Sequence, residues 1–285
     1  MRDYQIITDT NSDLPKEYVL EKGLIQVPQY TLFEGQTYEG AEGIDPKEFY
    51  QKMAEGAMPQ SQAINPAVCE EKFRKVLDEG KDILYISFSS AMSGSCNTAI
   101  MTGRDLSEEY KDATINIVDS LGASVGEGLL VMKAVELKES GMGIEELTKW
   151  LEDNKLNINI EFIVDDLKSL QRGGRVSKTT AVVGTIVGIK PRLRVDAEGK
   201  LGANGTIRGR KKSIASLVDL IGEKKTEDTA LVAIAHGNCL AECEGLAATI
   251  KERYGLDSMI NDINPSIGVH SGPGTIMVSF FGTAR

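Results

Sequence analysis

Much of what would announce a chemistry is missing from these 285 residues. No apolar run reaches the roughly eighteen residues that a membrane span needs. The opening MRDYQIITDT turns polar at once, without the basic-then-apolar pattern of a secretory leader. There are only four cysteines, Cys69, Cys96, Cys239 and Cys243, and none forms a C-x-x-C pair. So few in a chain this long make no disulfide framework and read as reduced thiols of a cytoplasmic protein. Cys239 and Cys243 fall four apart on an expected helix and can share a face. Without two further ligands of the right kind, packing is a better reading there than zinc. No G-x-x-x-x-G-K-[ST] stretch occurs, which removes a P-loop kinase or ATPase. The net charge of −10 argues against a general nucleic-acid binder. Repeats of fixed period and low-complexity tracts are also missing.

What remains is an ordinary globular composition, 41% hydrophobic and 26% charged, long enough for one large or two medium α/β domains with real cores. Strand-like runs alternate with helix-like ones. YQIIT leads to a polar turn and a helix near Pro15. Asn65-Pro66 caps a helix that stops at Gly80, DILYIS precedes a second helix, and TINIVD precedes a long helix ending near Gly141. This rhythm predicts a mostly parallel sheet covered by helices on both faces. The polar, Asn-rich stretch around Leu156 to Glu161 suggests a link, dividing the chain into residues 1–158 and 159–285. In the second part DDLKSLQRGG reads as a short helix ended by glycines, and SKTTAVVGTIVGI as a small-residue helix. PRLRVDAEGKLGANGTIR reads as a hairpin turning at Glu198-Gly199. A helix, the strand TALVAIAH, another helix and the strands SMIND and TIMVSFF follow.

Several strands end in small polar groups. In open α/β sheets ligands bind beyond those ends, where helix N-termini offer unpaired N–H groups to an anion. The densest example is ISFSSAMSGSCNTA, in which Ser93 and Gly94 occupy the turn before a helix. Serine capping explains one such hydroxyl; the density points equally to a carboxylate or other anion. In MPQSQAINP, Ser61 sits in a loop flanked by two amides. The two histidines, His236 and His270, both fall at expected strand ends beside glycine, and His270 precedes Ser-Gly-Pro-Gly. Between Arg172 and Lys212 stand eleven basic and two acidic residues, a net +9 in an acidic chain. That island is either a solvated face or a meeting place for phosphate or an acidic partner.

Taken together, TDTNSDLP, ISFSSAMSGSCNTA, LQRGGRVSK, IRGRKKS and VHSGPGT resemble, in order and spacing over nearly the whole chain, the DegV family of fatty-acid-binding proteins, also called FakB. The resemblance implies two α/β domains, the first with a Rossmann-like parallel sheet, clasping one long-chain fatty acid such as palmitate in the interdomain region. It implies a lipid-binding protein rather than an enzyme, with no cofactor beyond the bound fatty acid. The acid would be presented to a separate fatty acid kinase subunit for acyl-phosphate formation in phospholipid synthesis, with transient contact at a membrane surface. Carried onto this chain, the family pattern puts the carboxylate near Ser61, Ser93, Gly94 and His270, with Arg172 beside it and Arg175 and Arg208 facing the kinase. The loop departs from the pattern at Gln60 and Ala63, which leaves Gln60 and Ser61 as alternative contacts. The small-residue run AVVGTIVGI suits either a tunnel wall or tight helix packing.

A serine hydrolase is the main rival. GASVG, from Gly122 to Gly126, matches G-x-S-x-G, with aspartates and then histidines downstream. An elbow serine must stand on the strand-to-helix turn, whereas Ser124 lies several residues past the strand end at Val118, inside the expected helix.

Overall fold

The computed structural model describes residues 2–165, 167–176 and 189–285. In chain order the strands are β1 (Tyr4–Asp9), β2 (Ile25–Val27), β3 (Tyr30–Phe33), β4 (Gln36–Glu39), β5 (Gln60–Gln62), β6 (Asp82–Ser87) and β7 (Ile115–Asp119). They continue with β8 (Ile158–Ile163), β9 (Ile189–Val195), β10 (Leu201–Arg208), β11 (Leu231–His236), β12 (Asp257–Asp262) and β13 (Ile276–Phe281). The small-residue segment SKTTAVVGTIVG falls outside the described residues.

The first sheet is parallel throughout, in the order β2-β1-β6-β7. Its strands are near-continuous apolar runs because helices cover both faces; every residue of Asp82–Ser87 is buried. Helices Pro66–Asp78 and Ser95–Glu109 pack on one face around Phe73, Val76 and Leu106. Three helices begin with an Asx-Pro pair. Asp45, Asn65 and Asn264 each accept an N–H from two residues on, while the proline supplies a ready-set φ.

The second sheet has six strands, β10-β9-β8-β13-β11-β12, and is mixed rather than parallel: β11 and β12 are its one parallel pair of neighbours among the described residues, and the other neighbours are antiparallel. Its outer face carries helices Arg210–Lys224 and Leu240–Tyr254, packed through Leu217, Ile221, Leu246 and Ile250. The stretch expected to be a link is in part strand β8, buried along its whole length. Ile158, Ile160 and Phe162 enter the central core, while the polar alternates are paired. Asn159 accepts from Lys224 at 2.9 Å, and Glu161 accepts twice from Asn204, at 2.7 and 2.8 Å.

Helix Val125–Glu139 lies between the two sheets and contributes to one core with both. Its residues Val125–Val131 are all buried, so this half lacks a polar stripe, whereas Glu136 and Glu139 near its end are exposed. Its glycines permit the approach: a Cβ on Gly126 would collide with Ile160, and one on Gly128 with the Ser12 carbonyl. Two glycines of the GASVGEG stretch therefore serve packing. A third sheet, β4-β3-β5, was not expected from the sequence. It turns the segment read as a loop around Ser61 into an edge strand paired with Tyr30–Leu32. Next to it, Tyr50 reaches the Ile263 carbonyl at 3.1 Å and ties this part of the chain to the second sheet's end.

Candidate functional site

Beyond the carboxyl ends of β1 and β6 lies a cavity lined by Asn11, Gln29, Ser61, Phe88, Met92, Ser93, Gly94, Ala123, Phe162, Leu170, Arg175, Leu201, Ser266, Ile267, His270 and Met277 among others. It encloses about 130 Å³. The lining comes from both large sheets and from the small one, so no single α/β unit makes the site.

Ser61 and His270 meet there. On β5 Gln60 is exposed and outside the lining, whereas Ser61 and Gln62 both line the cavity. Ser61 Oγ lies 2.6 Å from His270 Nε2. His270 is not at a strand end but on helix Pro265–Ser271, started by the Asn264-Pro265 cap, which accepts from the Ser266 N–H at 3.1 Å. The sequence reading missed this helix because its seven residues show too little apolar periodicity. Burial, assisted by Arg175 and Arg172, lowers the His270 pKa to about 4, so the ring is neutral at pH 7. Its Nδ1 is buried without a hydrogen-bond partner, and Gly173 packs so closely that any Cβ there would strike the ring. A bare acceptor is cheaper to bury than a bare N–H, which places the proton on Nε2. His270 then donates to Ser61 Oγ, and the Ser61 hydroxyl hydrogen is free to point into the cavity.

The basic residues are arranged differently from expectation. Arg175, assigned to the partner surface, lines the cavity half-buried and donates to the Met92 carbonyl at 3.2 and 3.1 Å and to the Gly173 carbonyl. Arg172, assigned to the ligand, is exposed and lines a neighbouring depression with Met58, Asp165 and Gly272. The reason is local: helix Lys168–Arg172 ends at Gly173, and Gly174 at φ +71° reverses the chain so that Arg175 folds inward. Arg208 is exposed at the end of β10 and does not line the cavity.

The hydroxyl cluster resolves into supports and one lining residue. Ser87 donates to the Phe88 carbonyl, Ser89 to Gly199 at the tip of the β9–β10 hairpin, and Ser95 accepts from the Ile64 N–H. Ser93 faces the cavity, its Oγ 2.9 Å from that of Ser95. Gly94 adjoins it at the start of helix Ser95–Glu109, and a Cβ there would meet nothing within 4 Å. Gly94 therefore leaves space rather than allowing a strained turn.

Two polar wall residues, Asn11 and Gln29, are fixed by a carboxylate below them. Asp9 accepts from the Asn11 N–H at 2.9 Å, Gln29 Nε2 at 3.0 Å and the Phe88 N–H at 3.0 Å. Burial raises its pKa to about 6 against these donors. Ser266 bonds the Asn11 side chain, so the wall joins the two large sheets. Asp13 is also fully buried, its pKa raised to about 8 by desolvation. It accepts from the Asn264 N–H at 2.9 Å and pairs with Ser124. The motif TDTNSDLP shows these groups, but only burial reveals what they hold.

Ser124 stands just before its helix, not within it, at φ +54°. It is buried, and its hydrogen-bond partner is Asp13 rather than an imidazole. His236 ends β11 with Nδ1 3.2 Å from Asp262, outside the cavity lining. The elbow reading has no base to support it.

This clasp of two α/β units around a shared, partly apolar cavity has relatives. The model of the DegV family, described as uncharacterised protein, matches residues 3–283. The chain belongs to the DegV family. A DegV domain-containing protein of Clostridium perfringens is 37% identical over all of this chain and 99% of its own length. Among solved structures, a fatty-acid-binding DegV family protein from Thermus thermophilus superposes with a TM-score of 0.88 at 28% identity, covering 99% of this chain and 100% of its own. A stearic-acid-binding protein from Eubacterium ventriosum superposes with a TM-score of 0.89 at 25% identity over 98% of each chain. These superpositions agree with the fold described, a parallel first sheet and a second α/β unit. No helix among the described residues is long and apolar enough to cross a membrane.

Proposed function

We propose that this DegV-family chain binds one long-chain fatty acid, its carboxylate at Ser61, Ser93, His270 and Arg175 and its tail along Phe162, Leu201 and Met277. The observation that carries the reading is the Ser61–His270 pair. The imidazole is neutral, fixes the hydroxyl oxygen and leaves its hydrogen for an anion. A buried carboxylate costs several kcal/mol unless it finds donors or positive charge, and here Arg175 supplies charge behind the hydroxyls. The cavity is close to the roughly 150 Å³ that accepts one benzene ring, which suits the head group and first carbons. A longer tail requires Met92, Met277 and Leu201 to repack, as flexible methionine side chains do readily. A palmitoyl tail, with about fifteen buried CH₂ groups, gains on the order of 12 kcal/mol. That gain is ample to drive the repacking.

The relatives that bind fatty acids support the ligand class. For the finer role, the protein acts in the cytoplasm as the substrate carrier of a separate fatty acid kinase, presenting the carboxylate for acyl-phosphate formation in phospholipid synthesis. Arg208, exposed and clear of the cavity, suits the kinase surface, and Arg172 stands at the neighbouring depression where a phosphate would approach. Incubating the loaded protein with ATP and the candidate kinase tests this. Acyl-phosphate, trapped as its hydroxamate, is expected only when both proteins are present. Trapped product without the carrier, or none with it, defeats the kinase role while leaving fatty-acid binding to its own assay.

A further inference from the structure

Outside the cavity, two thiols share one helical turn. Cys239 is the N-cap residue of helix Leu240–Tyr254 and is half-buried; Cys243 is fully buried. The Cys243 N–H reaches the Cys239 carbonyl at 3.3 Å, closing the turn between them. In a regular helix residues four apart have Cβ atoms about 5–6 Å apart, wider than the roughly 3.5–4.5 Å of a disulfide. Cys239, as the N-cap at φ −137° and ψ 46°, lies outside the regular helix and can swing toward Cys243 to close that gap. The Cys239 sulfur caps none of the first-turn N–H groups and turns instead toward the Thr275 carbonyl. Arg210 stands beside it, held by Glu242 at 3.0 and 2.6 Å and donating to the Gly274 carbonyl at 2.6 Å. Hydrogen bonding from Cys243, with Arg210 adding to it, lowers the Cys239 pKa, and the same sharing raises that of Cys243. Burial instead pushes the thiols of Cys69 and Cys96 up to about 12 and about 11. One thiol is reachable and activated, and its neighbour is shielded within reach of it.

We propose that Cys239 and Cys243 form a redox modification site, at which a hydroperoxide such as hydrogen peroxide drives closure of an intrahelical disulfide. The Cys239 thiolate attacks one peroxide oxygen; the O–O bond breaks, an S–O bond forms and hydroxide leaves, taking a proton to become water. The resulting sulfenic acid has lost two electrons to the peroxide. The Cys243 sulfur then attacks the Cys239 sulfur, the S–O bond breaks, and the departing hydroxide takes the Cys243 thiol proton as a second water. Two thiols and one hydrogen peroxide thus give one disulfide and two waters. The site adjoins the support of His270's helix. Cys239 Sγ donates to the Thr275 carbonyl at 3.4 Å, and Arg210 holds the preceding carbonyl, just past the Gly272-Pro273-Gly274 turn. Oxidation removes the first of these bonds, while the Gly237 N–H keeps its own at 2.9 Å.

The reduced full-length chain is treated with equimolar hydrogen peroxide and followed by intact mass and peptide mapping. The product should lack two hydrogens, mapped to Cys239 and Cys243, and dithiothreitol should restore it. Cys243→Ser should stop at a sulfenic acid on Cys239 that dimedone traps, and Cys239→Ser should oxidise at least about tenfold more slowly. If a serine at the buried position unfolds the helix, Cys243→Ala serves in its place. Oxidation confined to Cys69 or Cys96, sulfinic acid on Cys239 without a disulfide, or equal rates in the wild type and Cys239→Ser would each overturn the proposal.

Discussion

Replacing Ser61 with alanine separates recognition of a carboxylate from burial of a tail. In the free protein the change removes one hydroxyl and leaves His270 Nε2 without its 2.6 Å partner, a cost of about 1 kcal/mol in stability. In the complex it removes a hydrogen bond to a charged group, worth about 1.5–3 kcal/mol. Fatty-acid affinity should therefore fall by about 10- to 150-fold. The tail contacts of Phe162, Leu201 and Met277 are untouched. A fatty alcohol of the same length should then lose much less, about threefold or under, because a neutral hydroxyl draws little from a polarised serine. Displacement of a fluorescent fatty acid by each competitor, on wild type and variant, gives both numbers. Equal losses for acid and alcohol would mean that Ser61 shapes the cavity rather than holding the charge. No loss for either would remove the Ser61–His270 pair from the site.

Four further outcomes follow from the same geometry. Gly173→Ala keeps an ordinary φ, so its Cβ should act only by displacing the His270 ring, at about 1–3 kcal/mol of binding; an unmoved His270 ring resonance with unchanged affinity would contradict this. Asp13 has a folded pKa raised from 3.8 to about 8, so the folded state holds the extra proton and stability declines as pH rises from about 4 to about 8. Asp13→Asn keeps the acceptor for Asn264 and should flatten that slope in urea titrations across this range, gaining a few kcal/mol at the alkaline end; an unchanged slope refutes a buried neutral Asp13. His270 works in the opposite sense. Its folded pKa of about 4 lies below the ordinary 6.5, so stability is lost as pH falls from about 6.5 to about 4, and His270→Gln should abolish that part of the acid limb. Arg208→Ala should leave lipid content and melting temperature intact while slowing kinase turnover, whereas Arg175→Ala should weaken fatty-acid retention; the reverse pattern would restore Arg175 to the partner surface.

Three strands of the parallel first sheet, β1, β6 and β7, were legible because they are apolar runs followed by helix signals such as the Asn65-Pro66 cap, all carried by neighbouring residues; β2, only three residues long, was not. The three-stranded sheet was not, since strands of three or four residues such as Gln60–Gln62 leave no periodic pattern. Strand β8 was misread in part because Asn159 and Glu161 look like a linker until Lys224 and Asn204 are brought to them across the sheet. Ser61, Ser93, Gly94 and His270 do share one cavity. The motifs put these residues on the page; their meeting is a matter of tertiary structure. The exchange of positions between Arg172 and Arg175 turns on the reversal at Gly173-Gly174, which the sequence shows only as two glycines. The buried carboxylates Asp9 and Asp13 were invisible as such, because desolvation is a property of the assembled core.

The central claim is tested most directly by weighing the freshly purified, undenatured protein by native mass spectrometry and identifying what organic extraction removes from it. The account predicts one long-chain fatty acid per chain, lost from a doubly substituted Ser61→Ala, Arg175→Ala variant that remains folded. A protein that carries no fatty acid, and takes up none when palmitate or stearate is supplied, would contradict it.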